Sequence, residues 1–543
     1  MQYGNISDVK QAINLLYNSK DQSVQRNANE WLQHFQKQSE AWEVASELLK
    51  DDNMLVVFFG AHTLCNKIRY DLNELPDSTI QQLFVMLFDA VKHFKNASTS
   101  VRNEICLVIA TLLIRWTGVT DIVNVAVQNI GTSETDTMLL NVLSLLPIEL
   151  QSRRIPIFEK QREEKLADMQ QSASNVLQYL NHLLQTSSDN EELVENVFRC
   201  FEAWVRLGSF TAEELSSTIL LPSLFKAIHI PELFEVCSDA LNEVLTVFSD
   251  LARDTSVIDI ILPQIAGMKP LAIEAVSSHD FNMCRRITLI YSQLGNDCLS
   301  LLIDDSNAYK GELLDTMFIL YSFPSIDIAD LCVPFWEELL VVLQSPEPGT
   351  PVYQLVYQLM TASLPHLKFP SDAAQMNEDD LFNFRERRRE EIVKNCYLLL
   401  GENVAIRFVL QSFDEATQEF MQMNDAEKCN QWQRVESLLY LLRCIGTPFD
   451  LTMQDVLHVV DVVFALPSIL PLEQASLRLL STYCRLLRNE YALLERILNF
   501  FFQKVENPEL QRDCVDLFLS VCKDCASSII RNMEFTGRIG RGN

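Results

Sequence analysis

Apolar residues recur at helical spacing along almost the whole chain. Val57, Ala61, Leu64 and Ile68 follow one another at intervals of four, three and four residues. Residues at these intervals fall on one face of an α-helix. Alternation with a period of two, which would indicate β-strands, is hard to find. Similar helical stripes comprise Val101, Ile105, Val108 and Leu112, and Leu193, Val197, Cys200, Trp204 and Leu207. The pattern therefore predicts an all-α protein.

The predicted helices fall into pairs separated by short breaks, such as Leu75-Pro76 and Gly349-Thr350-Pro351. A pair of about 30–50 residues has the size of a HEAT or armadillo unit. One pair cannot bury its own apolar stripe, whereas stacked pairs bury a continuous core. We therefore predict a HEAT-repeat α-solenoid, a right-handed superhelix of antiparallel helix pairs. The twelve predicted pairs span residues 7–37, 40–70, 76–116, 119–150, 155–207, 211–251, 256–300, 308–344, 349–400, 403–445, 450–486 and 489–532.

Several helix starts carry the sequence pattern of a capping box. The hydroxyl of Thr211 can accept a hydrogen bond from a free backbone N–H group, and Glu214, three residues later, can reach back. The same pattern begins at Ser188 and at Ser412. We expect a helix to begin at each of the three positions.

The composition supports a helical protein and adds a strong negative charge. Only 14 Gly and 18 Pro occur in 543 residues, which disfavours a large β or α/β protein. With 48% hydrophobic residues, the chain is too apolar to be globally disordered. The 44 Lys and Arg against 73 Asp and Glu give a formal charge of −29. This charge excludes a general nucleic-acid binder, which needs clustered cations, and it favours basic partners.

The sequence contains no candidate membrane span, signal peptide or catalytic motif. The most apolar stretch, residues 456–472, includes a histidine, an aspartate and two prolines. The N-terminus lacks the basic-then-apolar pattern of a signal peptide. No two of the 8 histidines lie within about ten residues, and neither GxxxxGK[ST] nor GxSxG occurs. We therefore predict no enzyme activity, no cofactor, no metal site and no membrane insertion.

The cysteines and tryptophans are expected to serve the core. The 14 cysteines are scattered through apolar runs, as is usual for reduced, buried thiols. Cys522 and Cys525 form a CxxC pattern late in a predicted helix, whereas a redox pair needs an electropositive helix N-terminus. A zinc site would need two further ligands, and none is close in sequence. The 6 tryptophans fall mainly on apolar stripes, where core packing is commoner than ligand stacking.

An acidic loop followed by an arginine cluster interrupts the helical pattern near residues 369–380. Arginine forks bind carboxylates and phosphates, so the two clusters could form a partner contact or an internal latch. The alternative is a solvated helix face with intrahelical ion pairs to neighbouring glutamates. The acidic residues are Glu378, Asp379 and Asp380, and the arginines are Arg385, Arg387, Arg388 and Arg389.

Three stretches of the chain resemble the importin-β family. The first comprises Ala28-x-x-Trp31-Leu32, Ala41-Trp42, Phe58-Phe59-Gly60-Ala61, Lys67-Ile68 and Leu75-Pro76, and it resembles the importin-β N-terminal domain. The others are Val197-Phe198-Arg199-Cys200-Phe201-x-x-Trp204-x-x-Leu207-Gly208 and Asp380-Leu381-Phe382-Asn383-Phe384-Arg385. These two, with Pro147-x-Glu149, resemble the transportin-3 and importin-13 branch, and the match is nearer to the transportin-3 side.

The resemblance implies a karyopherin, a nuclear transport receptor that shuttles between cytoplasm and nucleus. Such proteins bind the GTPase Ran in its GTP form through their N-terminal repeats, and Ran-GTP releases imported cargo. They also contact nucleoporin Phe-Gly repeats at the nuclear pore. The branch carries serine/arginine-rich splicing factors, which implies basic protein cargo. Two other functions stay open: a HEAT-repeat scaffold without Ran dependence, and an export receptor of the same superfamily.

The resemblance also implies a domain division. Residues 1–95 would be importin-β N-terminal-like HEAT repeats, 96–250 exportin-1/importin-β-like repeats, 251–532 further repeats, and 533–543 a disordered tail. Family members continue for many more repeats, and their cargo-contacting arginine-rich helix lies in that later part. We therefore expect a truncated array that acts as a monomer.

The candidate Ran contacts follow from the solenoid prediction. In such an array the second helix of each pair lines the concave face, which places the inner N-terminal helices near residues 21–37, 53–70 and 98–116. We hypothesise that their polar stripes meet Ran, with the acidic loop as a second contact for a basic patch of Ran or cargo. These stripes include Arg26, Glu30, His62, Asn66, Arg69, Arg102 and Asn103.

Overall fold

The computed structural model is built from α-helices and short 3₁₀ turns, with no β-strand among the residues it describes. These residues are 5–131, 136–186, 190–248, 255–304, 306–370, 389–445, 451–487 and 490–531. The chain divides into two compact units, unit 1 over Met1–Leu271 and unit 2 over Ala272–Asn543. The predicted all-α class is confirmed. The predicted tail, 533–543, lies outside the described residues.

The helices of unit 1 follow the predicted pairs closely. They are α1 (Ile6–Asn18), α2 (Gln22–Phe35), α3 (Ala41–Leu48), α4 (Met54–Asp71), α5 (Asp77–His93), α6 (Thr99–Arg115), α7 (Ile122–Ile130), α8 (Asp136–Gln151), α9 (Glu159–Thr186), α10 (Glu191–Arg206), α11 (Ala212–Ser216), α12 (Leu220–Ala227), α13 (Phe234–Val247) and α14 (Thr255–Gly267). Helix α15 (Lys269–Ser277) contains the division between the units.

The helices of unit 2 also follow one another in pairs. They are α16 (Phe281–Asp297), α17 (Leu299–Ile303), α18 (Lys310–Tyr321), α19 (Ile326–Val342), α20 (Pro351–Ser363), α21 (Arg389–Leu400), α22 (Glu402–Gln422), α23 (Asp425–Asn430), α24 (Gln433–Ile445), α25 (Met453–Ala465), α26 (Leu470–Tyr483), α27 (Tyr491–Lys504) and α28 (Gln511–Arg531). Short 3₁₀ turns occur at Leu72–Glu74, Leu364–Leu367 and Pro508–Leu510.

Unit 1 is an array in which helix pairs stack on one another. Within a pair, the two helices pack together, as α3 does on α4, α5 on α6 and α7 on α8. The second helices then form a continuous row, because α4 packs on α6, α6 on α8, α8 on α10 and α10 on α13. This row is the arrangement expected of HEAT repeats, in which neighbouring pairs bury one another's apolar stripes.

Helix α10 shows how the sequence sets a single element of this row. Its N-cap is Asn190, whose side chain accepts a hydrogen bond from the backbone N–H of Leu193 at 3.2 Å. Its predicted stripe is buried, including Val197 and Trp204, neither of which is exposed to solvent. The chain leaves the helix through Gly208, whose φ of +67° is a left-handed conformation that favours glycine.

Three of the predicted pairs, 211–251, 256–300 and 403–445, contain three helices each. In 211–251 the hydroxyls of Ser216, Ser217 and Thr218 each donate to a backbone carbonyl three residues back, which ends α11 after five residues. In 256–300 the break between α14 and α15 lies at Met268, two residues before Pro270, which has no backbone N–H with which to continue α14. Periodicity alone did not reveal these two breaks because both sides of each break keep an apolar face.

The predicted helix starts have different outcomes. The Thr211–Glu214 capping box is present with both of its hydrogen bonds. Ser188 lies outside the described residues. The helix start at Ser412 is wrong, because α22 runs through it from Glu402 to Gln422 and buries a stripe that spans this position. That stripe comprises Val409, Phe413, Ala416 and Phe420.

The expectation that thiols and indoles serve the core holds for most of those described. Trp204 and Trp336 are fully buried, and the other four tryptophans are half-buried. All 14 cysteines are free, and most are buried. Burial raises the pKa of thiols such as Cys106 and Cys200 to about 12, which keeps them protonated and unreactive at neutral pH. Cys522 is exposed while Cys525 is buried.

Buried Lys165 on α9 gives a testable pH dependence. Its ammonium donates to the carbonyl of Val119, and burial lowers its pKa to about 8, although Asp168 and Glu164 oppose the shift. The unfolded chain keeps this proton up to a higher pH, so the stability lost to the buried charge returns as pH rises from about 8 towards about 10.5. We expect unfolding free energy, relative to Lys165→Met, to rise by about 1–2 kcal/mol between about pH 7 and 9.5.

Denaturant unfolding of both proteins across this pH range would measure the effect. Taking the difference between the two proteins removes the titration of every other lysine and tyrosine. Parallel stability profiles for the two proteins would contradict the assignment of the effect to Lys165.

Candidate partner-binding face

The candidate residues on α4 border its buried stripe. Asn53 caps this helix by accepting from the backbone N–H of Leu55 at 3.0 Å. Burial of the predicted stripe, which includes Val57 and Leu64, fixes the rotation of the helix about its axis. This rotation leaves His62 at the surface, and its Nε2 lies 3.1 Å from Asn66 Nδ2, one turn along the helix.

Contacts between helices bring the α4 and α6 candidates together. The Nδ1 atom of His62 lies 3.0 Å from an Oε1 atom of Glu104 on α6. The Nδ2 group of Asn141 on α8 donates to Oδ1 of Asn103 on α6 at 2.6 Å. Both pairs join second helices of neighbouring helix pairs. They therefore tie the row together on its solvent-facing side.

Two arginines reach further along the row and are largely buried. Arg69 Nη2 donates to Glu149 Oε2 on α8 at 3.0 Å, and the two side chains are only 12% and 5% exposed. Arg102 Nη2 donates to Glu192 Oε1 on α10 at 2.8 Å, with Arg102 16% exposed. Planar guanidinium forks suit such ion pairs. These arginines hold helices together, and little of either side chain is left for a partner.

The same type of contact continues to α13. Arg206 on α10 donates to Glu243 on α13 at 3.0 Å and to Glu202 at 2.6 Å. Burial raises the pKa of Glu202, and the carboxylates of Asp239 and Glu243 raise it further, while Arg206 opposes the shift. The pairs His62–Glu104, Asn103–Asn141, Arg69–Glu149, Arg102–Glu192 and Arg206–Glu243 are called here the polar ladder. The ladder links α4, α6, α8, α10 and α13.

Arg26 and Glu30 lie on α2, outside the polar ladder. They face each other on consecutive turns at 4.0 Å, with side chains 75% and 63% exposed. Such exposed pairs contribute little to stability, so both side chains are free to exchange partners. The end of α2 is connected to α4 because Gln36 Nε2 donates to Thr63 Oγ1 at 3.1 Å.

The acidic loop and arginine cluster lie outside the described residues. This applies to Glu378, Asp379 and Asp380, and to Arg385, Arg387 and Arg388. Arg389 is the first residue of α21. The contact predicted for the two clusters stays a prediction.

The carboxylates of the ladder were not among the candidates from the sequence. Glu104, Glu149 and Glu192 pair with residues 42, 80 and 90 positions away, and no local pattern reports such distances. One signal existed for Glu149, since Pro147-x-Glu149 is among the stretches that resemble the transportin-3 and importin-13 branch. Pro147 lies inside α8, one turn from the end of the helix.

The chemistry of this face is that of a binding surface. Among the described residues, no group of three or more His, Cys, Asp or Glu could hold a metal ion. No helix in the same set is long and apolar enough to cross a membrane. The face instead carries alternating cations, carboxylates and amides on a row of helices, which suits recognition of a protein surface.

Comparison with known proteins gives consistent matches along the chain. The family described as Exportin 1-like protein matches residues 98–241. Transportin MOS14 of Arabidopsis thaliana is 23% identical over 97% of this chain, and human Importin-13 is 23% identical over 96%. The mRNA transport regulator MTR10 of Saccharomyces cerevisiae is 22% identical over 97%. The chain is similar in sequence to proteins of the importin-β superfamily.

The chain spans little more than half the length of these superfamily relatives. It covers 58% of Transportin MOS14, and 56% of Importin-13 and of MTR10. These relatives have the names of transport proteins. The matches support the superfamily resemblance found in the sequence and do not specify the branch.

Similar solved structures include two with a TM-score of 0.38. One is from the Kap95:Nup1 complex, at 11% identity, covering 97% of this chain and 78% of that one. The other is from a study of a phosphorylation switch between cadherin and β-catenin, at 12% identity, covering 94% of this chain and 99% of that one.

Proposed function

We propose that this chain is part of a nuclear import receptor that binds Ran-GTP through the second-helix row of unit 1. The observation that carries the proposal is the similarity to importins and transportins along 96–97% of the chain. The polar ladder supports it, because five of the seven candidate Ran contacts lie on two adjacent helices of one row. The receptor would shuttle between cytoplasm and nucleus.

The candidate residues divide into two roles under this proposal. Arg26, Glu30, His62 and Asn103 are exposed and would contact Ran. Arg69 and Arg102 are largely buried and would fix the spacing of the helices that carry those contacts. Exposed charges at an interface act mainly on association rate and specificity, whereas buried pairs determine whether the surface has the right shape.

The row also offers a physical route to cargo release. A ligand shifts a conformational equilibrium only by binding one state better than another. If Ran-GTP and cargo favour different spacings between successive helix pairs, binding of one weakens binding of the other by the same factor. The cross-helix pairs of the ladder are the contacts that such a change in spacing would strain.

The proposed partners follow from charge and exposed apolar side chains. The charge of −29 favours basic cargo, including serine/arginine-rich splicing factors. Nucleoporin Phe-Gly repeats would bind between the first helices of neighbouring helix pairs. Val85 on α5 is 59% exposed and Val127 on the neighbouring α7 is 39% exposed, so apolar surface is available there.

A double variant tests the proposed Ran contact. Replacing His62 and Asn103 by Ala removes two exposed side chains and leaves the buried ion pairs in place. We expect affinity for Ran-GTP to fall by about tenfold, corresponding to about 1.4 kcal/mol over two contacts. Surface plasmon resonance on immobilised Ran-GTP would measure it. The matched control is His182→Ala with Gln185→Ala on α9, both exposed, and it should bind like the unaltered chain. Equal affinity of all three proteins would contradict the assignment.

An export receptor is the second candidate, because the matching family over residues 98–241 is described as Exportin 1-like. The sign of the Ran effect separates the two functions. An import receptor loses cargo when Ran-GTP is added, whereas an export receptor gains it. Pull-down of a serine/arginine-rich protein with and without Ran-GTP distinguishes them, and an effect of neither sign would favour a scaffold.

A further inference from the structure

The connection between α8 and α9, residues 152–158, is an exposed loop held in a fixed conformation. Ser152 Oγ donates to the carbonyl of Glu149 at 3.0 Å, and the backbone N–H of Arg154 donates to Ser152 Oγ at 3.3 Å. From α9, Arg162 donates to the carbonyls of Leu150 and, at 3.2 Å, Ile155. Ile155 itself is fully buried. The loop is therefore anchored at its start and in its middle.

This anchored loop presents two arginines and a phenylalanine to solvent. Phe158 is 86% exposed, more than any other large apolar residue described. Arg153 and Arg154 are exposed, and within the described ranges neither has a carboxylate at ion-pair distance. Arg153 has a φ of +55°, a left-handed conformation that is costly for a residue with a side chain. Strained backbone is kept where the surrounding structure imposes it, and it is common at ligand-binding sites.

The unpaired arginines contrast with the arginines of the neighbouring helices α9 and α10. Arg199 pairs with Glu195 at 2.5 Å and Arg206 with Glu243 at 3.0 Å. Residues 153 and 154 follow the C-terminus of α8, and the partial negative charge at a helix C-terminus favours cations there. This effect does not explain the exposure of Phe158.

We propose that residues 153–158 form a docking site for an acidic protein segment that carries an apolar side chain. The guanidinium groups of Arg153 and Arg154 would bind carboxylates of the segment. Phe158 would pack against its apolar residue, which removes the aromatic ring from water. Charge complementarity determines this choice of partner, because a basic segment would be repelled by the same two arginines. The site is distinct from the proposed Ran contacts and does not depend on them.

The probe is a fluorescein-labelled peptide of Asp and Glu residues with one central Trp, titrated with the full chain and followed by fluorescence anisotropy. We expect saturable binding that weakens as salt is raised from about 0.05 to about 0.3 M. Arg153→Glu with Arg154→Glu should lower affinity at least tenfold, and Phe158→Ser by about threefold to tenfold. Circular dichroism of each variant would show that the helices are retained.

The matched control is Lys20→Glu with Lys37→Glu, which makes the same change of charge at two exposed lysines of unit 1. It should bind the peptide within about twofold of the unaltered chain. No binding by the unaltered chain, or an equal loss in the control, would overturn the proposal. So would equal binding of a peptide without Trp, or of a uridylate oligomer of the same length, because a general anion site makes no use of Phe158.

Discussion

Replacing Trp204 by Ala is expected to lower the free energy of unfolding of unit 1 by about 3–5 kcal/mol. The indole is fully buried on α10, and its Nε1 donates to the carbonyl of Leu143 on α8 at 2.9 Å. The variant therefore loses the largest side chain at this helix contact, leaves a cavity and orphans a buried carbonyl. Because α8 and α10 are adjacent in the second-helix row, the damage falls at the centre of the array.

Urea unfolding followed by far-ultraviolet circular dichroism would measure this loss as a shift in the first transition, since repeat arrays need not unfold in one step. Phe158→Ala is the matched control, because this aromatic side chain is 86% exposed and its removal should change stability by less than about 0.5 kcal/mol. The loss of stability in Trp204→Phe should lie between the losses in these two variants. An unchanged transition for Trp204→Ala would mean that the α8–α10 contact does not support unit 1.

Replacing Glu149 by Ala is expected to destabilise unit 1 by about 3–5 kcal/mol, because it leaves the buried Arg69 guanidinium without its carboxylate. Replacing both residues by apolar ones, Arg69→Met with Glu149→Leu, should restore most of that stability. Thermal unfolding of Arg69→Met, of Glu149→Leu and of the double variant gives the coupling between the residues. Additive losses would contradict an ion pair at this position.

The double variant also separates two roles for Arg69. If Arg69 only positions α4 against α8, the restored variant should bind Ran-GTP nearly as well as the unaltered chain. If Arg69 contacts Ran directly, affinity should stay low although stability has returned. The exposed fraction of 12% favours the positioning role.

The fold of unit 1 was largely predictable because local periodicity specifies it. The stripe at Val57, Ala61, Leu64 and Ile68 fixes both the existence of α4 and the face that it buries. The predicted inner helices at 21–37, 53–70 and 98–116 correspond to Gln22–Phe35, Met54–Asp71 and Thr99–Arg115. The positions of helix caps were less predictable. The capping-box pattern that begins at Ser412 lies inside a helix, because the apolar stripe of that helix continues past it.

The candidate site was predictable only in part, because its geometry depends on contacts between distant residues. Sequence reasoning placed His62, Arg69 and Arg102 on polar stripes, but it treated them as equivalent. Their different burial comes from Glu149 and Glu192, which are brought close by the stacking of helix pairs. The unusual loop at residues 152–158 was not a candidate either, since an exposed phenylalanine has no local sequence signal.

The proposed Ran-GTP-binding face of unit 1 is tested by the affinity of the purified chain for Ran loaded with GTP or with GDP. Isothermal titration at physiological salt measures both, with circular dichroism showing that the chain is folded. We expect at least about a hundredfold preference for the GTP form, a difference of about 2.7 kcal/mol. Binding to neither form, or equal binding to both, by a folded chain would contradict the proposal.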